Sequence, residues 1–232
     1  GTAILPLLSR LLAQNDQAGA IAALNRAIEL TLFLALPSMV AFLVIADELI
    51  LTLFQRGQFS PSDSRDTAFA LTAYTIGLPA YVLVKVLGPA FFARLDTRTP
   101  VMVGIAAVVV NVVLNLILMQ YLLHAGLALA TAIAAWLNVS LLSWILYRRG
   151  DFIADRQLFI RLARSIGASL LMGLLLWSLK KWLGALFTAG EVNRFVGLLI
   201  MVAVGLTSYG LAALLLRAIE WREIKGLLAR RQ

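Results

Sequence analysis

Apolar residues along this chain occur in long runs that are separated by short charged segments. A bilayer core about 30 Å thick requires about 20 helical residues, and six of the runs are long enough to cross it. They cover residues 28–48, 67–92, 100–120, 125–147, 161–182 and 195–216. None of them shows the two-residue alternation of a barrel strand. The pattern predicts an all-α, polytopic integral membrane bundle with six full transmembrane helices.

The segments outside these runs indicate how the chain is divided. Its first residues, GTAILPLLSRLLAQ, lack the basic region and cleavage site of a signal peptide and are typical of the end of a helix. We therefore expect residues 1–27 to hold the end of a preceding helix and an amphipathic linker, in a C-terminal portion of a longer protein. Residues 28–150 then hold four transmembrane helices, 151–217 two additional ones, and 218–232 an amphipathic cytoplasmic tail.

Composition and charge support a membrane protein with a defined orientation. Hydrophobic residues make up 61% of the chain, charged residues only 14%, and the mean hydropathy is +0.90. The net charge of +8 does not indicate nucleic-acid binding, because the basic residues lie between apolar runs rather than among aromatic residues on a polar surface. Loops on one side hold fourteen of the twenty lysines and arginines, and loops on the other side hold five. The positive-inside rule places the first side, and both chain ends, in the cytoplasm.

Few residues in the chain are suited to catalysis or metal binding. There is no cysteine, and the single histidine, His124, cannot form a zinc cluster or a Ser-His-Asp arrangement by itself. Paired intramembrane carboxylates and a phosphate-binding glycine loop are also missing from the sequence. We therefore predict no cofactor and no metal, and the sequence favours a transporter over an enzyme.

Lys85 is the only charged residue well inside a predicted span, about 12 Å along the helix from its cytoplasmic end. Its ammonium group either snorkels to the interface or faces a hydrated cavity, where it would bind an anion or pair with an acid. Pro37, Pro79 and Pro89 each remove a helix hydrogen bond and are either static kinks or hinges. Gly77 and Gly88 lie near two of these prolines, and Gly88-Pro89 marks a place where the second span can bend.

Asparagines mark one face of the third span. Asn111 and Asn115 lie one helical turn apart, and Thr131 and Asn138 lie two turns apart on the fourth span. Such side chains either hydrogen-bond between packed helices or contact a substrate or ion. Outside the spans, Ser60-Pro61 followed by Asp63 is a helix-start signal.

Three sequence motifs resemble those of the MurJ/MviN family of lipid II flippases. They are TAILPLLSRL at 2–11, LFQRGQF at 53–59 and KVLGPAFFARLDTRTPV at 85–101, in the family's order and spacing. The resemblance implies fourteen helices in the whole protein, two six-helix lobes followed by a pair that forms a groove for the polyprenyl tail. That pair would be 161–182 and 195–216 here. The arginine-lined headgroup cavity of the family is built mostly from helices that precede this chain.

The resemblance and the span pattern together give the candidate site residues. Candidate cavity or gating residues are Lys85, Pro89 and Arg10 from the motifs, and Asn111 and Asn115 from the third span. Motif residues that are expected to maintain the fold are Arg56, Gly57, Phe59, Asp96, Thr97, Thr99 and Pro100.

The implied partners are lipid II, an undecaprenyl-pyrophosphate-linked disaccharide-peptide, the surrounding membrane lipids, and the N-terminal half of the same protein. The implied location is the bacterial cytoplasmic (inner) membrane, and the implied mechanism is alternating access. Two other functions stay open from the sequence. One is export of another polyprenyl-linked glycan or of a drug, and the other is an integral-membrane glycosyltransferase or scaffold subunit.

Overall fold

The structure, a computed structural model, describes residues 4–55 and 59–216. Every regular element in this part of the chain is helical. The seven helices are α1 (Ile4–Ala13), α2 (Gln17–Phe54), α3 (Pro61–Ile76), α4 (Leu78–Phe92), α5 (Arg98–Arg148), α6 (Arg156–Thr188) and α7 (Glu191–Leu215). The motif residues Arg56 and Gly57 and the predicted tail at 218–232 lie outside the described residues.

Five helical stretches of the described chain are long and apolar enough to cross a membrane, whereas the sequence predicted six. The difference lies in α5, whose 51 residues would extend about 77 Å as one straight helix. Leu123 interrupts it with φ 49° and ψ −127°. The two halves of α5 fold back on each other. This is shown by Asn111 Nδ2, which donates to Thr131 Oγ1 at 3.2 Å although 20 residues separate the two. α5 is thus a hairpin of two membrane-crossing segments, 98–122 and 124–148, and the described chain has six segments that can cross the membrane.

The second predicted span is interrupted at Gly77, between α3 and α4 and two residues before Pro79, one of the predicted kink or hinge positions. Gly88-Pro89, the other such position in this span, lies inside α4. A Cβ at Gly77 would lie 2.9 Å from the Cα of Ala132 in α5. The indole N–H of Trp136 donates to the Ile76 carbonyl at 2.9 Å. Contacts with α5 therefore fix the break at Gly77.

Two apolar cores meet on the long helix α2. The N-terminal half of α2 packs with α1, α4 and α5 in one core, which includes Leu24 and Phe91. Its C-terminal half packs with α6 and α7 in the other, which includes Met172 and Met201. In the described part of the chain, α6 and α7 pack mainly against each other and α2, and Leu158 at the start of α6 also belongs to the first core. They form a two-helix unit attached to a larger bundle.

Helix starts agree with the local sequence signals. Asp16 caps α2 by accepting from the Gly19 N–H at 2.8 Å, and Asn15 before it has φ 57°, which accounts for the short break between α1 and α2. Ser60 and Asp63 form a reciprocal capping box at the start of α3. The predicted helix start at Ser60-Pro61 is confirmed.

Candidate functional site

Lys85 lies on an exposed face of α4, on a ridge between two grooves. No hydrogen bond or ion pair joins its side chain to another residue in the described parts of the chain. The first groove has a volume of about 340 Å³ and lies between α4 and α2, where Thr31 and Ser38 also line it. We call it the Lys85 groove. An unpaired ammonium group beside two hydroxyl-bearing side chains is suited to an anionic ligand.

The second groove lies on the other side of Lys85 and has a volume of about 570 Å³. We call it the Asn138 cavity. It lies between α1, α4 and the two halves of α5, and its lining residues are Leu5, Val84, Lys85, Gly88, Pro89, Phe92, Pro100, Asn138 and Leu142. Asn138 Oδ1 is shielded from solvent and has no hydrogen-bond partner in this structure's described residues.

A third, strongly apolar groove of about 370 Å³ lies between α2, α6 and α7. We call it the apolar groove. Leu34 and Ser38 line both this groove and the Lys85 groove. The apolar groove and the Lys85 groove therefore meet on one turn of α2. A single long ligand can place a hydrocarbon chain in the apolar groove and a charged group in the Lys85 groove.

Where the apolar groove and the Lys85 groove meet, a tyrosine hydroxyl replaces a helix hydrogen bond that Pro37 cannot make. Pro37 has no N–H to donate to the carbonyl of Phe33, and the Tyr209 hydroxyl donates to that carbonyl instead, at 2.6 Å. The same hydroxyl lies 3.1 Å from Ser165 Oγ, and the Tyr209 ring packs against the Phe33 ring. Tyr209 was not among the predicted residues, because the proline signals a freed carbonyl but not the distant donor.

A match to a known protein family identifies the family of this chain. Residues 1–187 match the family model described as Lipid II flippase MurJ, which is well over half of the 232 residues. The chain belongs to the MurJ family. The resemblance seen in the three motifs is thereby confirmed.

Named members of the MurJ family cover nearly the whole chain. A probable lipid II flippase MurJ of Vibrio cholerae is 36% identical over 97% of this chain and 43% of its own length. A probable lipid II flippase MurJ of Rhizobium tropici is 35% identical over 100% of this chain and 44% of its own. The chain thus spans less than half the length of these relatives.

A solved structure gives the same picture for the fold. The chain matches a structure titled lipid II flippase MurJ, inward closed conformation, with a TM-score of 0.72 and 27% identity. The match covers 93% of this chain and 42% of that one. The helical membrane bundle predicted from the sequence is confirmed by this likeness and by the long apolar helices.

Asp96 and Thr99 of the third motif bond to each other and to Arg149 at one end of the bundle. We call this cluster of three residues the clasp, since it joins the loops before and after α5. Asp96 accepts from the Thr99 hydroxyl at 2.6 Å and from the Thr99 N–H at 3.0 Å, which caps the start of α5. The Arg149 guanidinium, at the other end of α5, is 2.7 Å from Asp96 and donates to Thr99 at 3.0 Å. These bonds, those from Thr99 first, hold the pKa of Asp96 well below its usual range. Thr97 is the N-cap residue, but no side-chain capping bond from it is present.

A neighbouring ion pair extends this clasp to α2. Arg94 is 2.9 Å from Asp151, and Gln17 donates to the same carboxylate at 3.0 Å. Asp151 is buried, and no local pattern indicates its partners, because they lie 57 and 134 residues away along the chain. The clasp and this ion pair together tie the loop before α5, the loop after it and the start of α2.

The remaining candidate residues from the sequence lie outside the clasp. Asn115 donates to Asn111 at 3.1 Å within the first half of α5, and Asn111 donates to Thr131 in the second half, so Asn111 joins the halves. Neither asparagine lines the grooves beside Lys85. Arg10 is exposed in the last turn of α1. Phe59 packs against the small core of Ala46, Ile50 and Ala68. Pro89 and Pro100 both line the Asn138 cavity.

Ion pairs attach α6 to α2 at both ends. Arg161 is 2.9 Å from Glu29 at one end, and Lys180 is 3.0 Å from Glu48 at the other. Lys180 also lies 3.4 Å from Asp47. Because α6 runs parallel to α2, these pairs lie at opposite ends of the bundle and hold the two-helix unit in register.

Proposed function

We propose that this chain is the C-terminal portion of a lipid II flippase, a transporter that moves the lipid-linked headgroup from the cytoplasmic to the periplasmic leaflet. The observation that carries the proposal is the meeting of the apolar groove and the Lys85 groove at Leu34 and Ser38. A polyprenyl pyrophosphate has the same order of parts, since a long hydrocarbon chain ends in an anion. The two relatives named probable lipid II flippase MurJ support the same substrate.

The proposed mechanism is alternating access. A charged headgroup that entered bare hydrocarbon would lose its hydration at a cost of many kcal/mol. In our proposal the headgroup therefore crosses beside Lys85 in a hydrated cavity completed by the N-terminal half, while the tail stays in the apolar groove. Residues 28–150 act as part of one lobe and residues 151–217 as the tail-binding unit.

We also propose an orientation in the bacterial cytoplasmic membrane. Both chain ends, the Asp96 clasp and the Glu29–Arg161 pair lie on the cytoplasmic side, and Asp63 and Lys180 on the periplasmic side. The excess of lysine and arginine on the first side supports this orientation. The periplasmic end of the path is then near the Lys180–Glu48 pair.

The proposal is tested by complementation of a bacterial strain depleted of its own lipid II flippase. Full-length protein with Lys85→Ala is expected to support growth poorly at low expression, and Lys85→Arg, which keeps the charge, is expected to support it better. Lys181→Ala is the matched control, because Lys181 stacks on the Trp177 ring at the far end of α6.

Two results would count against the proposal. If wild-type protein is expressed and inserted but does not restore growth, the substrate is another polyprenyl-linked glycan or a drug. If Lys85→Ala grows as well as wild type at low expression, the Lys85 side chain only snorkels and does not serve the substrate.

A further inference from the structure

The Asn138 cavity holds polar groups that the fold itself leaves unused. Asn138 Oδ1 is shielded and unpaired in the described structure, and the Lys85 side chain has no partner there.

These groups define the chemistry of an occupant. The Lys85 ammonium is a cationic donor, whereas Asn138 Oδ1 is an unpaired acceptor. A simple anion would satisfy the lysine and leave Asn138 Oδ1 unpaired, and a cation would be repelled by the lysine. A sugar attached to a phosphate satisfies both, because the phosphate accepts and the neighbouring hydroxyl or amide groups donate. The volume of about 570 Å³ lies within the usual range of small-molecule sites.

The order of the three grooves agrees with such an occupant. The apolar groove meets the Lys85 groove at Leu34 and Ser38, and Lys85 then separates that groove from the Asn138 cavity. The chain therefore offers apolar, cationic and hydrogen-bonding surfaces in sequence. A lipid-linked sugar has its hydrocarbon, phosphate and sugar in the same sequence.

We propose that the Asn138 cavity binds the sugar next to the phosphate of a polyprenyl-linked glycan. Lys85 contacts the phosphate, and Asn138 accepts a hydrogen bond from a hydroxyl or amide group of the first sugar. This inference rests on the proposed function and deepens it, since it assigns the sugar to a site on α4 and α5. Asn138 is then a specificity residue that distinguishes glycan-bearing lipids from bare ones.

The test compares two lipids on the full-length protein in lipid nanodiscs. One is undecaprenyl pyrophosphate, and the other is the same lipid carrying the disaccharide-peptide. Asn138→Ala is expected to weaken binding of the glycan-bearing lipid about fivefold to tenfold, the loss of about one hydrogen bond, and to change binding of the bare lipid less than about twofold. Lys85→Ala is expected to weaken both. Asn193→Ala is the control, because Asn193 is half-buried near the start of α7 and lines none of the three grooves.

The outcomes separate this inference from the proposed function. If Asn138→Ala weakens both lipids equally, or neither, the sugar does not bind at Asn138 and the inference is overturned while the flippase proposal stands. If wild-type protein binds neither lipid, the proposed function fails and the inference fails with it. Should Asn138→Ala not fold, Asn138→Ser is predicted to show the same selectivity for the glycan-bearing lipid with a smaller loss.

Discussion

Tyr209→Phe tests how α7 compensates for the proline in α2. The substitution removes only the hydroxyl that donates to the Phe33 carbonyl at 2.6 Å and lies 3.1 Å from Ser165. Tyr209 is 8% exposed, so water cannot easily replace this donor. A side-chain hydrogen bond between membrane helices contributes about 0.6 kcal/mol on average and up to about 1.7. An unsatisfied buried carbonyl costs about 1–3 kcal/mol. We therefore expect a loss of about 1–2 kcal/mol in the free energy of unfolding.

The assay is equilibrium unfolding of the purified protein in mixed micelles, followed by circular dichroism as the fraction of denaturing detergent rises. Tyr121→Phe is the matched control, because Tyr121 is 79% exposed. A second background isolates the cause. In Pro37→Ala the helix regains an N–H that can reach the Phe33 carbonyl, so Tyr209→Phe should cost less than about 0.5 kcal/mol there.

Equal losses in the two backgrounds would refute this reasoning. The Tyr209 hydroxyl would then act through Ser165 alone, and the carbonyl freed by Pro37 would need another donor. A loss that depends on Pro37 would instead show that α7 stabilises the turn of α2 at which the apolar groove and the Lys85 groove meet.

Three further predictions concern the break in the second span, the clasp and the topology. Trp136→Phe removes the donor to the Ile76 carbonyl and should lower the free energy of unfolding by about 1 kcal/mol, whereas Trp144→Phe, at an exposed site, should not. The Asp96 pKa is lowered in the fold, so its stabilising effect is complete above about pH 4 and is lost as the pH falls from there toward the folded-state pKa. Thermal melts at pH 6 and pH 3 should therefore differ less in Asp96→Asn than in wild type, and an unchanged difference would contradict the assigned bonds. For the orientation, Ser62→Cys should react with an impermeant maleimide added outside intact cells and Gln157→Cys only after lysis, and the reverse pattern would overturn it.

The sequence predicted the crossing segments well, because each depends on a local run of apolar residues. The hairpin in α5 was predicted from the charge-free runs on either side of His124. The turn itself is shorter than the predicted connection, because only Leu123 has non-helical dihedral angles. Gly77 near Pro79 and Gly88 beside Pro89 look alike in sequence as places where the second span can bend. Contacts of the Gly77 region with Ala132 and Trp136, more than fifty residues away, distinguish the two places.

Prediction of the site residues was less complete for a similar reason. Lys85 was identified because a charge inside an apolar run is visible without a structure, and its position on a ridge between two grooves followed only from the packing of α2 and α5. Tyr209 and Asp151 each act on residues more than fifty positions away, so local patterns could not identify them. The role of Asp96 in the clasp was likewise hidden until Arg149 was located beside it.

Transbilayer movement of lipid II by the reconstituted full-length protein is the most direct test of the central claim. Fluorescent lipid II is placed in both leaflets of proteoliposomes, and an impermeant reductant then bleaches only the dye that reaches the outside. The account predicts that wild-type protein raises the bleached fraction from about half to nearly all, and that Lys85→Ala does so more slowly. A bleached fraction that stays at half with folded wild-type protein, equal to that of protein-free vesicles, would contradict it.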